Sequence, residues 1–485
     1  MAAPTIIKGE EHFFVLKHEG NGGGQRVGNF VPFTDNGTIA KSCIFNKADD
    51  PKLSRTPSSN GNRKTFTISF WYKPADLGTR RFLFAADTDT SNYFIFEFDA
   101  SNVIDIQEYS GPSLRLKTNR TFEDTSKFYH FLLAVDTTQS TASDRLKLYV
   151  DGDQITSFSI ATYPSQDLNT KVSSTSYPMA VGNFHSTNLG ETGGNLAEYN
   201  FVDGTALTPS TFGLTDTSTG RWIPKSLTGI TYGTNGFRLE FANSAGQTIG
   251  DDTSGQGNDL TVTNIATTDI TTDSPTQNHA TLSPNRIVGS PTFSEGNLKI
   301  TGTSTAYHKA ASEKVFPSDI STGLYWEYTD SANGFEGGVI KATQGKPTND
   351  SGETNGMIIQ RRGGGGGNTY WVQKDNSETL YYDTGVSASD GQTIGVAVKS
   401  GKIWFAINNT WVLSGDPAAG TNAAGELDPD DYIAYLSVYG SSTNMTVNFG
   451  QKSFQYTPPT GFVAYQQDNL PDEGVKPDLV WIKNR

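Results

Sequence analysis

The sequence predicts an all-β protein built from two consecutive antiparallel β-sandwiches. Short segments with alternating apolar and polar side chains recur from the first third of the chain to the last, and turn residues separate them. The clearest segment is Thr65–Pro74, TFTISFWYKP, in which Phe66 and Phe70 fall on one side and Thr67 and Trp71 on the other. A strand of this kind must bury its apolar face against a second sheet, so the surrounding chain is expected to supply one.

The amino-acid composition restricts the number of domains, the kind of partner and the kind of metal site that the chain can have. The 485 residues leave room for about two to four domains. Acidic residues (51) outnumber basic ones (37), and this balance argues against a nucleic-acid partner, which would need clustered Lys and Arg. Cys43 is the single cysteine, which excludes an intrachain disulfide and a cysteine-based zinc site. We find neither a secretion signal nor an apolar run of about 20 residues, so we expect synthesis in a host cytoplasm and no membrane insertion.

The first third of the chain divides into an arm and a run of strands. Residues 1–34 are predicted to be an N-terminal arm or attachment segment, because an alternating stretch is followed there by GNGGGQRVGNF. Strand after strand follows. Leu146–Val150 leads into Asp151-Gly152, a strong hairpin signal, and residues 154–160 are expected to return antiparallel.

Several motifs carry a family resemblance. FTISFWYKP, the pair YHFLLAV and RLKLYVDG, then MAVGN and LAEYNFVDG together resemble a laminin-G-like, concanavalin-type jelly roll, which we place at residues 35–265. The longer motifs KSCIFNKADDPKLSRTPSSNGNRKTFTISFW, FVDGTALTPSTFG and GRWIPKSLTGITYGTNGFRLEF resemble a family of bacteriophage virion proteins, often described as tail fibre or structural proteins. This second resemblance implies a place on a phage particle.

The end of the first unit contains a candidate calcium loop. NGFRLEF followed by IGDDTSGQGNDLTV resembles the first strand and loop of other laminin-G-like domains, so we expect residues 237–241 to pair with a strand from residues 35–215 in a permuted order. The loop offers hard oxygen ligands within nine residues, which suit Ca²⁺. An Asx-rich turn capped by its own side chains is an equally good interpretation. The candidate ligands are Asp251, Asp252, Ser254, Asn258 and Asp259.

A second β unit follows a linker. Residues 266–285 are rich in Thr, Asp and Pro and are predicted to be the linker. GLYWEY, DGQTIGVAV, GKIWFAINNTWV and VNFGQKSFQYTPPTGF then resemble the SPRY fold, which we place at residues 286–463. Residues 464–485 are predicted to be a C-terminal tail. The resemblance implies a bent sandwich used for recognition.

No catalytic constellation emerges from the sequence. One glycosidase group on the concanavalin-type fold carries an ExDxxE-type carboxylate set, and VIDIQE has Asp105 and Glu108 but Val103 in the first place. EFDASN has Glu97 and Asp99 but lacks the third carboxylate. His130, between two aromatic residues, is predicted to be a packed or surface imidazole and not a base. We therefore expect no catalytic residues.

Tryptophans are the remaining candidates for ligand contact. Trp71, Trp326 and Trp404 lie within alternating strands and are predicted to be core residues. Trp371 and Trp411 lie near loops and are candidates for stacking on a sugar ring.

These inferences favour a non-enzymatic virion protein, a tail fibre, spike or other exposed appendage that adheres to host surface polysaccharide. A purely architectural component that binds other virion proteins is the alternative, and a polysaccharide depolymerase ranks third. The phage resemblance also implies a homo-oligomer, in particular a trimer.

Overall fold

The computed structural model describes most of the chain between residues 37 and 471. The described ranges are 37–109, 114–187, 190–217, 219–242, 248–330, 335–348, 355–364, 367–375 and 377–471, with the paired strands Lys8–Gly9 and His12–Phe13. The rest of the predicted arm and most of the predicted tail lie outside the described residues. Within them there are strands and short 3-10 helices but no α-helix, which confirms the all-β prediction. The 3-10 helices are Lys47–Asp49, Ala142–Asp144, Pro209–Thr211, Thr267–Asp269, Ala342–Gln344, Val412–Ser414 and Gln467–Asn469.

The first sandwich consists of two antiparallel sheets, which we call sheet I and sheet II. In spatial order sheet I contains Asp153–Ile155, Leu146–Val150, Tyr129–Asp136, Thr65–Pro74, Gly194–Asp203, Ser42–Phe45 and Ile270–Thr271, and Phe237–Leu239 pairs with Gly194–Asp203. Sheet II contains Phe158–Thr162, Leu114–Thr121, Val103–Tyr109, Asn92–Phe98, Arg81–Asp89, Met179–Val181, Lys52–Arg55 and Thr261–Thr263. A separate hairpin joins Gly213–Thr215 to Trp222–Pro224. The pairing expected for the permuted segment is therefore present at residues 237–239.

Strand Thr65–Pro74 lies in the middle of sheet I, and both of its faces are buried. Its inward face, with Phe66 and Phe70, belongs to the core shared by the two sheets. The outward face is covered as well, which confirms the prediction that Trp71 is a core residue. Trp71 packs there with Phe128 and is 3% exposed. The cover comes partly from the segment that contains Trp222, which contacts the same cluster.

The hairpin predicted after Leu146–Val150 is present, but its second half differs from the prediction. Asp153–Ile155 pairs back in sheet I, as the Asp151-Gly152 turn indicates. The chain then crosses to the other layer, where Phe158–Thr162 becomes the edge strand of sheet II. The single strand predicted for residues 154–160 is thus divided. The crossing lets the apolar side chains on both sides of it contact the shared core.

The second sandwich also consists of two sheets, sheet III and sheet IV. Sheet III contains, in spatial order, Leu282–Val288, Tyr307–Ser312, Asp431–Tyr439, Glu336–Lys341, Gly356–Gly364, Gly367–Lys374 and Ser377–Ser387, and Phe316–Pro317 pairs with Asp431–Tyr439. Sheet IV contains Thr292–Ser294, Lys299–Thr301, Asn444–Asn448, Gly323–Thr329, Thr393–Lys399, Lys402–Ile407 and Thr410–Trp411, with Gly425–Glu426 and Phe462–Ala464 paired beside this order. Trp326 lies in the core between them and Trp404 is buried in a smaller cluster on sheet IV, so both are buried as predicted.

The structure differs from the predicted linker and tail boundaries. Ile270–Thr271 pairs with Ser42–Phe45 and belongs to the first sandwich, since Ile270 packs against its core. Leu282 is already buried in the second core. At the other end Tyr465 is fully buried in that core, so the second sandwich extends past residue 463. Because apolar side chains of both segments are buried in a core, the linker and the tail are shorter than predicted.

A buried ion pair holds the segment that connects the two sandwiches. Lys73, at the end of the central strand of sheet I, donates from Nζ to Asp273 Oδ2 at 3.0 Å, and both side chains are 2% exposed. The same ammonium donates to Asn278 Oδ1 at 2.9 Å and to the carbonyl oxygen of His279 at 2.8 Å. Three acceptors thus replace the water that the ammonium loses on burial. The pair holds the connecting segment against the outer face of sheet I.

Candidate functional site

The candidate calcium loop is organised by hydrogen bonds within itself. Asp252 Oδ1 accepts hydrogen bonds from the backbone N–H groups of Arg238 at 2.9 Å and Ser254 at 2.8 Å. Its Oδ2 accepts from the backbone N–H of Asn258 at 2.8 Å. Asp259 Oδ1 in turn accepts from the backbone N–H of Asp252 at 2.9 Å. These bonds are the ones expected of an Asx-rich turn.

The side chains of the other three predicted ligands also accept hydrogen bonds. Ser254 Oγ accepts from the backbone N–H of Gln256 at 3.2 Å. Asp251 accepts from the backbone N–H of Thr248 at 2.7 Å. Asn258 Oδ1 accepts from Arg55 Nη2 at 2.6 Å. In the part of the chain that the structure describes, no group of three or more His, Cys, Asp or Glu side chains is arranged to hold a metal ion. Calcium binding stays a prediction, and a calorimetric Ca²⁺ titration of the wild type and Asp252→Ala tests it.

The two candidate stacking tryptophans lie on different sheets of the second sandwich. Trp371, in sheet III, is half-buried and donates from Nε1 to Thr369 Oγ1 at 3.0 Å. Trp411, in sheet IV, is half-buried against a cluster that includes Trp404 and Phe462. The structure therefore does not combine them into one platform.

The outer face of sheet II carries a row of polar and aromatic side chains that the sequence did not reveal as a unit. Strand Asn92–Phe98 turns its phenylalanines inward, so its other side chains point outward. The neighbouring strand pairs with it in a register that places Tyr93 opposite Tyr109 and Glu97 opposite Asp105. We call this row the outer strip. Its members are Arg80, Tyr93, Glu97, Asp105, Gln107, Tyr109 and Arg115.

Two arginine–carboxylate pairs form one end of the outer strip. Arg80 donates from Nε to Glu97 Oε2 at 2.9 Å and from Nη2 to Oε1 at 2.8 Å. Arg115 donates from Nη2 to Asp105 Oδ2 at 2.6 Å and from Nε to Oδ1 at 3.1 Å. Both carboxylates are almost fully buried, whereas the arginines are 52% and 38% exposed. The carboxylate thus fixes each guanidinium group on one side, and the other side of the guanidinium group faces solvent.

Two stacked tyrosines form the other end. The rings of Tyr93 and Tyr109 lie 5.6 Å apart at an interplanar angle of 18°. Tyr109 is 48% exposed, and the Tyr93 hydroxyl donates to Gln107 Oε1 at 3.4 Å. A flat aromatic surface beside fixed polar groups is the arrangement that suits a ligand with apolar ring faces and hydroxyl edges.

Electrostatics distinguish Glu97 from an ordinary surface carboxylate. Burial raises the pKa of Glu97 to about 7, although the Arg80 guanidinium beside it acts in the opposite direction. The nearby Asp105 adds a smaller rise to the same pKa. A carboxyl group that titrates near neutrality is a property of some acid–base catalysts, so this pair bears on the question of hydrolysis.

Strand geometry divides the carboxylate set VIDIQE that was considered in the sequence. Asp105 and Glu108 are three residues apart on one strand, so they point to opposite faces. Glu108 is buried and accepts from the backbone N–H of Lys171 at 3.0 Å. The partner of Asp105 is instead Glu97 on the neighbouring strand. The cross-strand register, which the sequence analysis did not use, brings Asp105 and Glu97 together.

His130 is a structural residue of the first sandwich. Its Nδ1 accepts a hydrogen bond from Trp222 Nε1 at 3.1 Å, and because an indole only donates, Nε2 carries the proton and donates to Ser69 Oγ at 2.9 Å. The imidazole is buried, and burial lowers its pKa to about 3. In this tautomer the ring cannot take a proton from Ser69, which agrees with the packed imidazole expected from the sequence.

Comparison with known proteins bears mainly on the first sandwich. Residues 49–211 match the family described as the Concanavalin A-like lectin/glucanases superfamily. No curated protein matches the chain. No helix in the described ranges is long and apolar enough to cross a membrane.

Solved structures similar to the chain include laminin, SPRY and carbohydrate-binding proteins. Domains LG4-5 of the mouse laminin alpha1 chain match at 8% identity and a TM-score of 0.29, over 86% of this chain and 90% of that one. The TRIM65 PSpry domain matches at 10% identity and a TM-score of 0.26, over 35% of this chain and 92% of that one. A putative carbohydrate binding protein from Bacteroides ovatus matches at 12% identity and a TM-score of 0.30, over 46% of this chain and 58% of that one. Identities and TM-scores this low assign no function to the chain. With the family match and the sheet topology, the first sandwich is a laminin G-like, concanavalin-type jelly roll.

Proposed function

We propose that the protein is a non-enzymatic glycan-binding protein and that the outer strip is its binding surface. The observation that carries this proposal is the stacked pair Tyr93 and Tyr109 beside two outward-facing guanidinium groups on one rigid sheet. A pyranose ring stacks on an aromatic surface through its C–H face, while Arg and Gln side chains bind its hydroxyl groups. Because strands and salt bridges hold these groups in place, little side-chain entropy is lost on binding.

Retention on a host polysaccharide matrix tests the proposal. Tyr109→Ala removes the exposed ring of the stack and is expected to weaken retention about tenfold. Tyr439→Ala is the matched control, because Tyr439 is similarly exposed (42%) and contacts Tyr307 on the second sandwich. Equal retention of the wild type and Tyr109→Ala would exclude the outer strip as the binding surface.

A place on a phage particle, as an exposed tail fibre, spike or other appendage, is supported by the long motifs shared with phage virion proteins and is part of the same proposal. Immunogold labelling of particles from infected host cells tests it, since labelling confined to free protein would contradict it. A purely architectural role predicts labelled particles whose protein does not retain polysaccharide.

The proposed homotrimer predicts three times the 52.4 kDa chain mass in solution, which light scattering measures.

Glycoside hydrolysis is the second candidate, favoured by the raised pKa of Glu97 opposite Asp105. Retaining hydrolysis needs two carboxyl groups about 5 Å apart, one of them free to attack. Here each carboxylate accepts hydrogen bonds on both oxygens from its own arginine, so attack would first require breaking a charged pair. Reducing-sugar release that disappears in Glu97→Gln would establish an enzyme and contradict the binding-only proposal.

A further inference from the structure

A cleft of about 380 Å³ lies between the two sandwiches, and none of its lining residues belongs to the outer strip. Its volume is at the lower end of the roughly 300–1,000 Å³ typical of small-ligand sites. The first sandwich contributes most of the charged lining and the second contributes a tight hairpin loop. The lining residues that matter here are Lys47, Asp50, Asp76, Glu191, Phe293 and Asn297.

Asn297 is the unusual member of this lining. Its side chain is 1% exposed, yet neither Oδ1 nor Nδ2 has a hydrogen-bond partner among the described residues. A buried amide with both polar atoms unpaired costs free energy and is rare in native proteins. A ligand or water that supplies one donor and one acceptor would remove this cost.

The loop that presents Asn297 is itself strained. Glu295, Gly296 and Asn297 have φ angles of 52°, 66° and 64°, so three consecutive residues adopt the left-handed region. Such a conformation is unfavourable at a non-glycine residue and persists where surrounding contacts impose it. Gly296 meets the first sandwich closely, since a Cβ there would lie 2.8 Å from Asn195 Oδ1. The strain therefore coincides with the place where the loop lies against the first sandwich beside the cleft.

Asp76 provides a second unpaired polar group on the opposite wall. Its Oδ2 is buried with no partner in the described ranges and lies directly over Gly193, where a side chain would collide with it. Burial also raises the pKa of Asp76. The carboxylate thus has an unused acceptor that a hydroxyl or ammonium hydrogen could occupy.

The charges of the lining restrict the ligand further. Three carboxylates, those of Asp50, Asp76 and Glu191, accompany the single ammonium of Lys47. An anionic ligand would be repelled, whereas hydroxyl and ammonium donors would be attracted. Phe293 supplies an apolar side chain in the same lining.

We propose that this cleft is a binding site for a small polyhydroxylated ligand, a neutral sugar or an amino sugar, held by Asp76 on the first sandwich and Asn297 on the second. The site excludes acidic sugars. It shares the chemistry of the proposed glycan binding but does not depend on the outer strip, and a ligand bound here would link the two sandwiches.

Saturation-transfer NMR on the full chain tests this proposal with glucose, glucosamine and glucuronate as probes. Glucosamine and glucose are expected to receive saturation and glucuronate is not. Asn297→Gly keeps the positive φ and removes the amide, so the dissociation constant for glucosamine should rise about fivefold, the effect of one lost hydrogen bond. The melting temperature of this variant should not fall, because the amide it removes was unpaired.

Two further variants make the result decisive. Asp76→Asn removes one negative charge and should reduce the preference for glucosamine over glucuronate. This variant therefore tests binding in the cleft even if Asn297→Gly misfolds. Tyr439→Ala, at an exposed tyrosine outside both the cleft lining and the outer strip, should leave glucosamine binding unchanged. The proposal is overturned if the wild type shows no transfer, which would mean that water alone satisfies Asn297. It is also overturned if Asn297→Gly binds like the wild type, if Asp76→Asn keeps the wild-type preference, or if Tyr439→Ala abolishes the transfer.

Discussion

Protonation of His130 is expected to destabilise the first sandwich in mild acid. The folded pKa is about 3, against an ordinary value of 6.5, because burial disfavours the charged imidazolium. The neutral ring accepts one hydrogen bond from Trp222 and donates one to Ser69. The folded pKa is depressed, so this stability is complete above the ordinary value and is lost as pH falls toward the folded one. Between about pH 7 and about pH 4 the loss amounts to about 3 kcal/mol.

His130→Gln isolates this contribution, because Gln offers one acceptor and one donor but does not titrate. Urea unfolding of both proteins at the two pH values, followed by tryptophan fluorescence, gives the difference; Trp71 lies 4.8 Å from the imidazole and reports on this region. The wild type should lose about 3 kcal/mol more than the variant. Equal losses would show that the imidazole of the folded protein is free to protonate, which would refute the buried neutral tautomer.

For three other substitutions, the structure determines the direction of the expected change in stability. Lys73→Met leaves Asp273 buried without its partner and should lower the free energy of unfolding by about 3–5 kcal/mol, while Lys73→Met with Asp273→Leu should recover most of it in the same denaturation assay. Gly152→Ala should lower the melting temperature, because the residue has a φ of 86° and a Cβ would lie 2.6 Å from the ring of Trp222; unchanged melting would contradict the tight turn. Glu97→Gln should remove one contribution to the pH dependence of stability: burial raises the folded pKa of Glu97, so the stability that Glu97 contributes is lost as pH rises between about pH 4.5 and about pH 7. His130 acts in the opposite direction in both proteins, so the change in stability is compared between the wild type and the variant, and equal changes would show that Glu97 titrates normally.

Side-chain alternation predicted the layers of the fold well but not how the layers are covered. It identified Thr65–Pro74 as a strand and Leu146–Val150 as half of a hairpin, because both features depend on neighbours in sequence. It predicted that Trp71 is buried but could not show what covers it, since the covering segment with Trp222 lies about 150 residues further along the chain. The same limit explains why the linker was predicted too long: a two-residue strand such as Ile270–Thr271 has no period to recognise.

The candidate site was predicted less well than the fold, for a related reason. The presence of an aromatic residue near a loop predicts a stacking site, and this rule selects Trp371 and Trp411. The stacked pair in the structure is formed by Tyr93 and Tyr109 in mid-sheet, and a pairing register decides that contact. A hairpin alignment of YFIFEF with VIDIQEY would have placed Glu97 opposite Asp105, so the signal was present but needed the register.

The contact between the sandwiches determines which sheet of the first one is open to ligands. On sheet I, Lys73 binds the connecting segment and Trp71 is covered, so this outer face is occupied by the protein itself. The outer strip belongs to sheet II, the other layer of the sandwich, and its groups are fixed by contacts within that layer. Lys73→Met should therefore loosen the two sandwiches relative to each other and weaken sugar binding in the cleft, which needs both of them, while polysaccharide retention by the outer strip stays at the wild-type level. Loss of both activities in that variant would mean that the strip also depends on the contact between the sandwiches.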